Sequence, residues 1–136
     1  MRVVLDTNIF ASSLLVQLGH PGAIYRAWHE GQFTLLTCEE QLDELRATLY
    51  KPALAKRIKP YKAGRLVNEI RELAETIASL PRVKRSPDPT DDYLLALCDA
   101  GKADYLVTGD KSGLLSLTRH KSTRMISASS FAALFG

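Results

Sequence analysis

A chain of 136 residues with 46% apolar and 24% charged side chains has the make-up of one folded domain spanning residues 1–136: too short for two separately cored domains, too apolar for a disordered segment. The formal charge of +3 is weaker than the strongly basic signature of many nucleic-acid binders. Asp6 interrupts the first apolar run after Val3-Val4-Leu5, which argues against a secretory leader, and no later run approaches the roughly eighteen apolar residues of a membrane span, so a cytoplasmic location without membrane contact is expected.

Arg2 to Leu5 is a short Val-rich run that reads as a buried strand. Ile9 to Leu18 looks helical, and Gly19, Pro21 and Gly22 break it before a second helix ending near Trp28. Phe33 to Leu36 is a second strand. Thr37 and Glu40 have capping-box spacing, and Leu42, Leu45 and Leu49 recur at helical intervals, which predicts a helix over 38–50. Beyond Pro52 and Pro60, Leu66, Ile70, Leu73 and Ile77 mark a long amphipathic helix, and a weak third strand is expected around Val83. Thr90 is placed to cap a helix whose body, Tyr93 to Cys98, is apolar nearly all round and therefore deeply buried. Tyr105 to Val107 is a strand ending at Thr108-Gly109-Asp110; a short helix, a strand near 124–126 and a final helix over 129–134 follow.

Apolar strands alternating with helices predict a parallel sheet covered on both faces. Ligands of such sheets bind beyond the carboxyl ends of the strands, where the strand order reverses. Asp6 and Asp110 both stand there. Cys38 and Cys98 are isolated, without CxxC or His at ligand spacing, and read as small core residues. His20, His29 and His120 read as surface residues. Lys51, Lys56, Arg57, Lys59, Lys62 and Arg65 fall within fifteen residues, and Arg82, Lys84 and Arg85 form a second basic group. A positive rim beside an acidic pocket suits a polyanion, although such runs are as often merely solvated faces.

Four segments, taken together and in order, resemble the PIN-domain family: Leu5-Asp6-Thr7-Asn8; Leu42-Asp43-Glu44-Leu45-Arg46; Asp88-Pro89-Thr90-Asp91-Asp92; and Ala103-Asp104-Tyr105-Leu106-Val107-Thr108-Gly109-Asp110. The nearest branch is the VapC-like toxin component of toxin-antitoxin systems. The resemblance implies a three-layer α/β/α sandwich with a five-stranded parallel sheet ordered 3-2-1-4-5, placing strands 1 and 4 side by side. It also implies a magnesium- or manganese-dependent ribonuclease, an RNA substrate, homodimerisation and a cognate antitoxin. Carried over residue by residue, its acidic positions fall on Asp6, Glu44, Asp92 and Asp110, with Asn8 and Thr108 in support.

Gathered carboxylates repel one another, and a hard divalent cation relieves that repulsion. Such an ion activates water and stabilises charge at phosphorus. On this reading Asp6, Asp110 and Asp92 are direct or water-mediated ligands, and Glu44 orients the water or completes a second metal position. Read alone, Asp6 serves equally as a helix cap, Asp92 as a complement to a helix dipole and Asp110 as a turn residue. Helical periodicity does not select Glu44 from Glu39, Glu40 and Asp43; the resemblance alone does. Relatives often carry an acidic residue where this chain has Ser112, so one potential ligand is missing and weaker or single metal occupancy is expected. A receiver domain is disfavoured because Lys84-Arg85-Ser86, not an aspartate, follows the third strand candidate, and a haloacid-dehalogenase-like phosphatase would need a second Asp at Asn8. The alternative that stays open is a PIN-fold module that binds RNA or protein without cutting.

Overall fold

The computed structural model describes residues 1–136. Six strands form one sheet in the order β3-β2-β1-β4-β6-β5: β1 Arg2–Leu5, β2 Thr34–Thr37, β3 Glu75–Thr76, β4 Tyr105–Val107, β5 Arg119–His120 and β6 Thr123–Ile126. The first five strands of that order pair in parallel, and β5 alone is antiparallel, against β6. The helices are α1 Thr7–Leu15, α2 His20–His29, α3 Glu39–Leu49, α4 Pro52–Ala55, α5 Pro60–Leu73, α6 Asp92–Gly101 and α7 Ala128–Ala132.

The two-residue period of the strands sorts their side chains onto two faces. Val3 and Leu5 of β1, Leu35 of β2 and Val107 of β4 join a cluster built with α1, α2, α3, α5 and α7. Val4, Leu36 and Leu106, their alternate neighbours, join a second cluster with Leu94, Leu95, Leu97 and Cys98 of α6. Burial on both faces is why these strands read as unbroken apolar runs rather than alternating ones. Truncating a residue such as Leu36, fully buried in the second cluster, to Ala costs about 2–5 kcal/mol.

The α/β/α architecture and the expected strand order are present, with three differences. The third strand forms at Glu75–Thr76 rather than around Val83, because α5 stops at Leu73 and the next residues pair with Leu36 and Thr37. Ile77 thus leaves the helical stripe; its N–H bonds the Thr37 carbonyl and its side chain packs on the second cluster. Gly101 packs beside it, leaving room for Leu36: a Cβ there would stand 2.7 Å from the Leu36 Cδ1. The sheet also gains a sixth strand, since a two-residue turn at 121–122, with Lys121 at φ 52°, folds β5 back onto β6. Finally, Thr37 does not cap α3; its hydroxyl donates instead to the Gln41 side-chain carbonyl at 2.8 Å.

No helix is long and apolar enough to cross a membrane. Both cysteines are buried as expected, and burial pushes each thiol up to about 12, so neither serves as a nucleophile at neutral pH. His20 and His29 are exposed. His120 is not: it is 5% exposed and paired with Asp99 at 3.0 Å, a partnership that sequence separation conceals.

Candidate active site

The strand order reverses between β1 and β4, and each chain leaves the sheet there into a polar turn. The Asp6 N–H extends the ladder one residue past β1, bonding the Val107 carbonyl at 2.9 Å. Asp6 then caps α1, accepting weakly from the Asn8 N–H at 3.4 Å. Thr108, the first residue after β4, is fully buried; its hydroxyl donates to Asp6 Oδ2 at 2.9 Å and accepts the Asp110 N–H at 3.2 Å. One threonine therefore ties the two strand ends together.

A cleft of about 510 Å³ opens above this junction, lined by Asp6, Asn8, Glu44, Asp88, Asp91 and Asp110 among others. Glu44 enters from α3, whose register is pinned one turn earlier by Gln41: its side-chain N–H donates to the Leu5 carbonyl at 2.6 Å. Off the leucine stripe, Glu44 is half-buried against the strand ends rather than solvated beside Glu40. The Asp110 carboxylate accepts from the Gly113 N–H at 3.0 Å and from the Ser112 hydroxyl at 3.4 Å. A Cβ at position 113 would lie 2.1 Å from Asp110 Oδ2, so the carboxylate folds back over its own turn because residue 113 is glycine.

Three of the four expected acids, Asp6, Glu44 and Asp110, line the cleft; Asp92 does not. The Asp92 carboxylate turns the other way and accepts the N–H groups of Arg85 at 3.0 Å and Ser86 at 2.7 Å. Its neighbour Asp91, which the sequence reading passed over, faces the cleft instead. Successive residues at a helix start point about 100° apart, so moving one position exchanges the two sides. The relevant signal was the i, i+3 spacing of Asp88 and Asp91, which puts both on one side of the Pro89–Asp91 3-10 turn. Tyr93 was also missed: its hydroxyl sits 3.2 Å from the Thr7 hydroxyl, and burial raises its pKa further than the Thr7 contact lowers it, with the nearby Glu44 carboxylate adding to the rise.

No cationic side chain forms an ion pair with Asp6, Glu44, Asp88, Asp91 or Asp110. Burial raises the Asp6 pKa, the Thr108 and Asn8 bonds oppose the shift, and the charges of Glu44 and Asp110 reinforce it. Asp91 is pushed up to about 6, first by burial and then by Asp6, Asp88, Glu44 and Asp110. In this arrangement no three of the carboxylates converge closely enough to ligate one ion directly. The donor set is nonetheless all hard oxygen, uncompensated and shared by four elements, which fits a magnesium-type ion bound partly through water.

Residues 2–112 match the PIN domain family. No curated protein sequence matches the chain. Among solved structures it is similar to PAE2754 from Pyrobaculum aerophilum, with a TM-score of 0.64 and 14% identity over 98% of this chain and 88% of that one. It is also similar to a chain in the crystal structure of VapBC2 from Rickettsia felis bound to a DNA fragment from their promoter, with a TM-score of 0.58 and 16% identity over 93% and 98%. The PIN domain of human SMG5 matches with a TM-score of 0.56 and 11% identity over the whole of both chains.

Proposed function

The chain belongs to the PIN domain family, and on that premise we propose that it is a single-domain, magnesium- or manganese-dependent ribonuclease that hydrolyses RNA phosphodiester bonds as the toxin component of a toxin-antitoxin pair. One observation carries the reading: carboxylates from four distant segments meet in a cleft that supplies them no counter-cation. Perturbed carboxyls in a cleft are a hallmark of functional sites.

Asp6, Asp91 and Asp110 would hold the ion, partly through bound water, with Asp91 taking the position that the sequence resemblance gave to Asp92. The ion supplies Lewis acidity and charge neutralisation at the phosphate. Every other task falls to the chain. Thr108 fixes the Asp6 carboxylate and, through the Asp110 N–H, the turn that carries the second acid. Glu44, standing next to the Tyr93 hydroxyl, orients the attacking water and accepts its proton. Asn8 lines the cleft as a polar support, and Ser112 bonds Asp110 where relatives place a further acid, which favours one metal over two.

The VapBC2 neighbour supports an antitoxin partner, and the same reading carries a homodimer. On this reading the enzyme acts on RNA in the cytoplasm. The deciding experiment incubates single-stranded RNA with purified protein and magnesium or manganese, comparing wild type with Asp6→Asn and with excess chelator. Cleavage that both changes abolish is the expected result. The second reading, a module that binds without cutting, is favoured by the lack of three pre-converged ligands; metal-loaded protein that binds RNAs of varied sequence yet cleaves none would establish it.

A further inference from the structure

Residues 82–86 have no regular secondary structure, yet side chains hold them in place at two points. The Asp92 carboxylate accepts both the Arg85 and the Ser86 N–H. The Arg85 guanidinium donates to His120 Nδ1 at 2.7 Å, and His120 Nε2 bonds the Asp99 carboxylate. A guanidinium has no acceptor, so Nδ1 is the ring's acceptor and Nε2–H its donor. Val83 packs on the second core cluster. Val83 is thus half-buried against the core, and Arg85, though exposed, is engaged through its guanidinium with His120.

Arg82 and Lys84, the intervening residues, are exposed and make no ion pair or hydrogen bond. They line an open groove of about 690 Å³ with Val83, Arg85, Ser86, Pro89 and Asp92. Only the Pro89–Asp91 turn separates this groove from the acidic cleft: Asp88 and Asp91 face the cleft, and Pro89 and Asp92 face the groove.

We infer that residues 82–86 form a braced cationic rail that takes the phosphate backbone of single-stranded RNA where it leaves the acidic cleft, with Arg82 and Lys84 as the phosphate contacts and Asp92 and His120 as the braces. The inference rests on the nuclease reading for the identity of the polyanion. Freely mobile lysines give non-specific attraction; a rail fixed one turn from the reacting carboxylates also sets the path of the strand. It gives Asp92 a role, and it gives the buried His120–Asp99 pair a reason to face Arg85.

The test uses the full chain carrying Asp6→Asn, so that RNA survives, and a fluorescent single-stranded oligoribonucleotide titrated by anisotropy at several KCl concentrations. Adding Arg82→Gln and Lys84→Gln should weaken binding roughly tenfold at low salt and flatten the log–log salt slope by about 1.4, since each phosphate contact on a single strand contributes about 0.7. The control pair Lys56→Gln and Arg57→Gln, equal in charge but outside the groove, should change the slope by less than half as much. Equal effects from both pairs, or none from the rail pair, overturn the inference. Wild-type cleavage is scored separately: a rail effect without any cleavage refutes the nuclease reading and leaves the rail standing, while cleavage with no rail effect does the reverse.

Discussion

Two of the clusters that hold partly buried carboxylates in this molecule have opposite environments. On the helical side Glu69 accepts from the Tyr25 hydroxyl, from Arg65 Nε at 3.0 Å and from His29 Nε2 at 3.0 Å. Burial alone would raise its pKa, but those donors outweigh it and the net shift is downward. At the strand ends Asp6 and Asp91 face other acids, and burial and repulsion act in the same direction, upward. The lesson is that burial does not distinguish a structural carboxylate from a chemical one. The partners do: a satisfied acid such as Glu69 stabilises the fold, whereas an uncompensated set stores repulsion that only a ligand cation or a proton relieves.

The sharpest break in that comparison is functional. Asp6→Asn should lower RNA cleavage by a factor on the order of 10³ or more, whereas Glu69→Gln should leave kcat unchanged within about threefold; single-turnover assays at saturating metal measure both. Within the acidic turn, Asp91→Asn should cost on the order of 10²-fold in kcat and Asp92→Asn less than about threefold at saturating RNA. If Asp92→Asn proves the more damaging at saturation, then the division of these neighbours between cleft and rail is wrong.

Stability supplies the next contrast, and its sign differs between the clusters. Asp91 titrates near 6 in the folded protein, above its ordinary value, so its ionised form destabilises the metal-free fold above pH 6 and protonation relieves this as pH falls toward 4. Metal-free protein should therefore gain stability between pH 7 and pH 5. Asp91→Asn should stabilise it at pH 7 by about 1–2 kcal/mol, a figure reduced from the full shift because the group is partly solvated. Magnesium should raise the Tm of wild type and add little to the variant. Glu69 is lowered, so its contribution is present above its ordinary value and is lost as pH falls below it; Glu69→Gln should cost about 1 kcal/mol at pH 7. Thermal melts across pH with and without magnesium read all four expectations, and loss of stability in Asp91→Asn would sink the repulsion argument.

The smallest expected effect is steric. Gly113→Ala places a methyl against the Asp110 carboxylate and should swing it out of its turn, raising the apparent magnesium requirement a few-fold with little change in Tm. Activity against metal concentration would show it; an unchanged metal curve would mean that Asp110 does not depend on this turn.

Much of this was legible in the chain. The apolar runs of β1, β2 and β4 announce strands buried on both faces, and the residues that end β1 and β4, Asp6 and Thr108-Gly109-Asp110, mark where a parallel sheet presents its chemistry. These are local properties, fixed by pattern and position along one strand. What tertiary structure decided was orientation. Ile77 fits a helical stripe by spacing, yet β2 offers unpaired backbone groups that a helix continuing past Leu73 would leave unsatisfied, so the chain turns and pairs instead. Glu44 is indistinguishable from Glu40 on a helical wheel until Gln41 docks on Leu5 and sets the helix against the strand ends. Asp91 and Asp92 are chemically identical neighbours, and only the Arg85 and Ser86 amides, waiting on one side of the turn, determine which of them is consumed as a brace and which is left for the cleft.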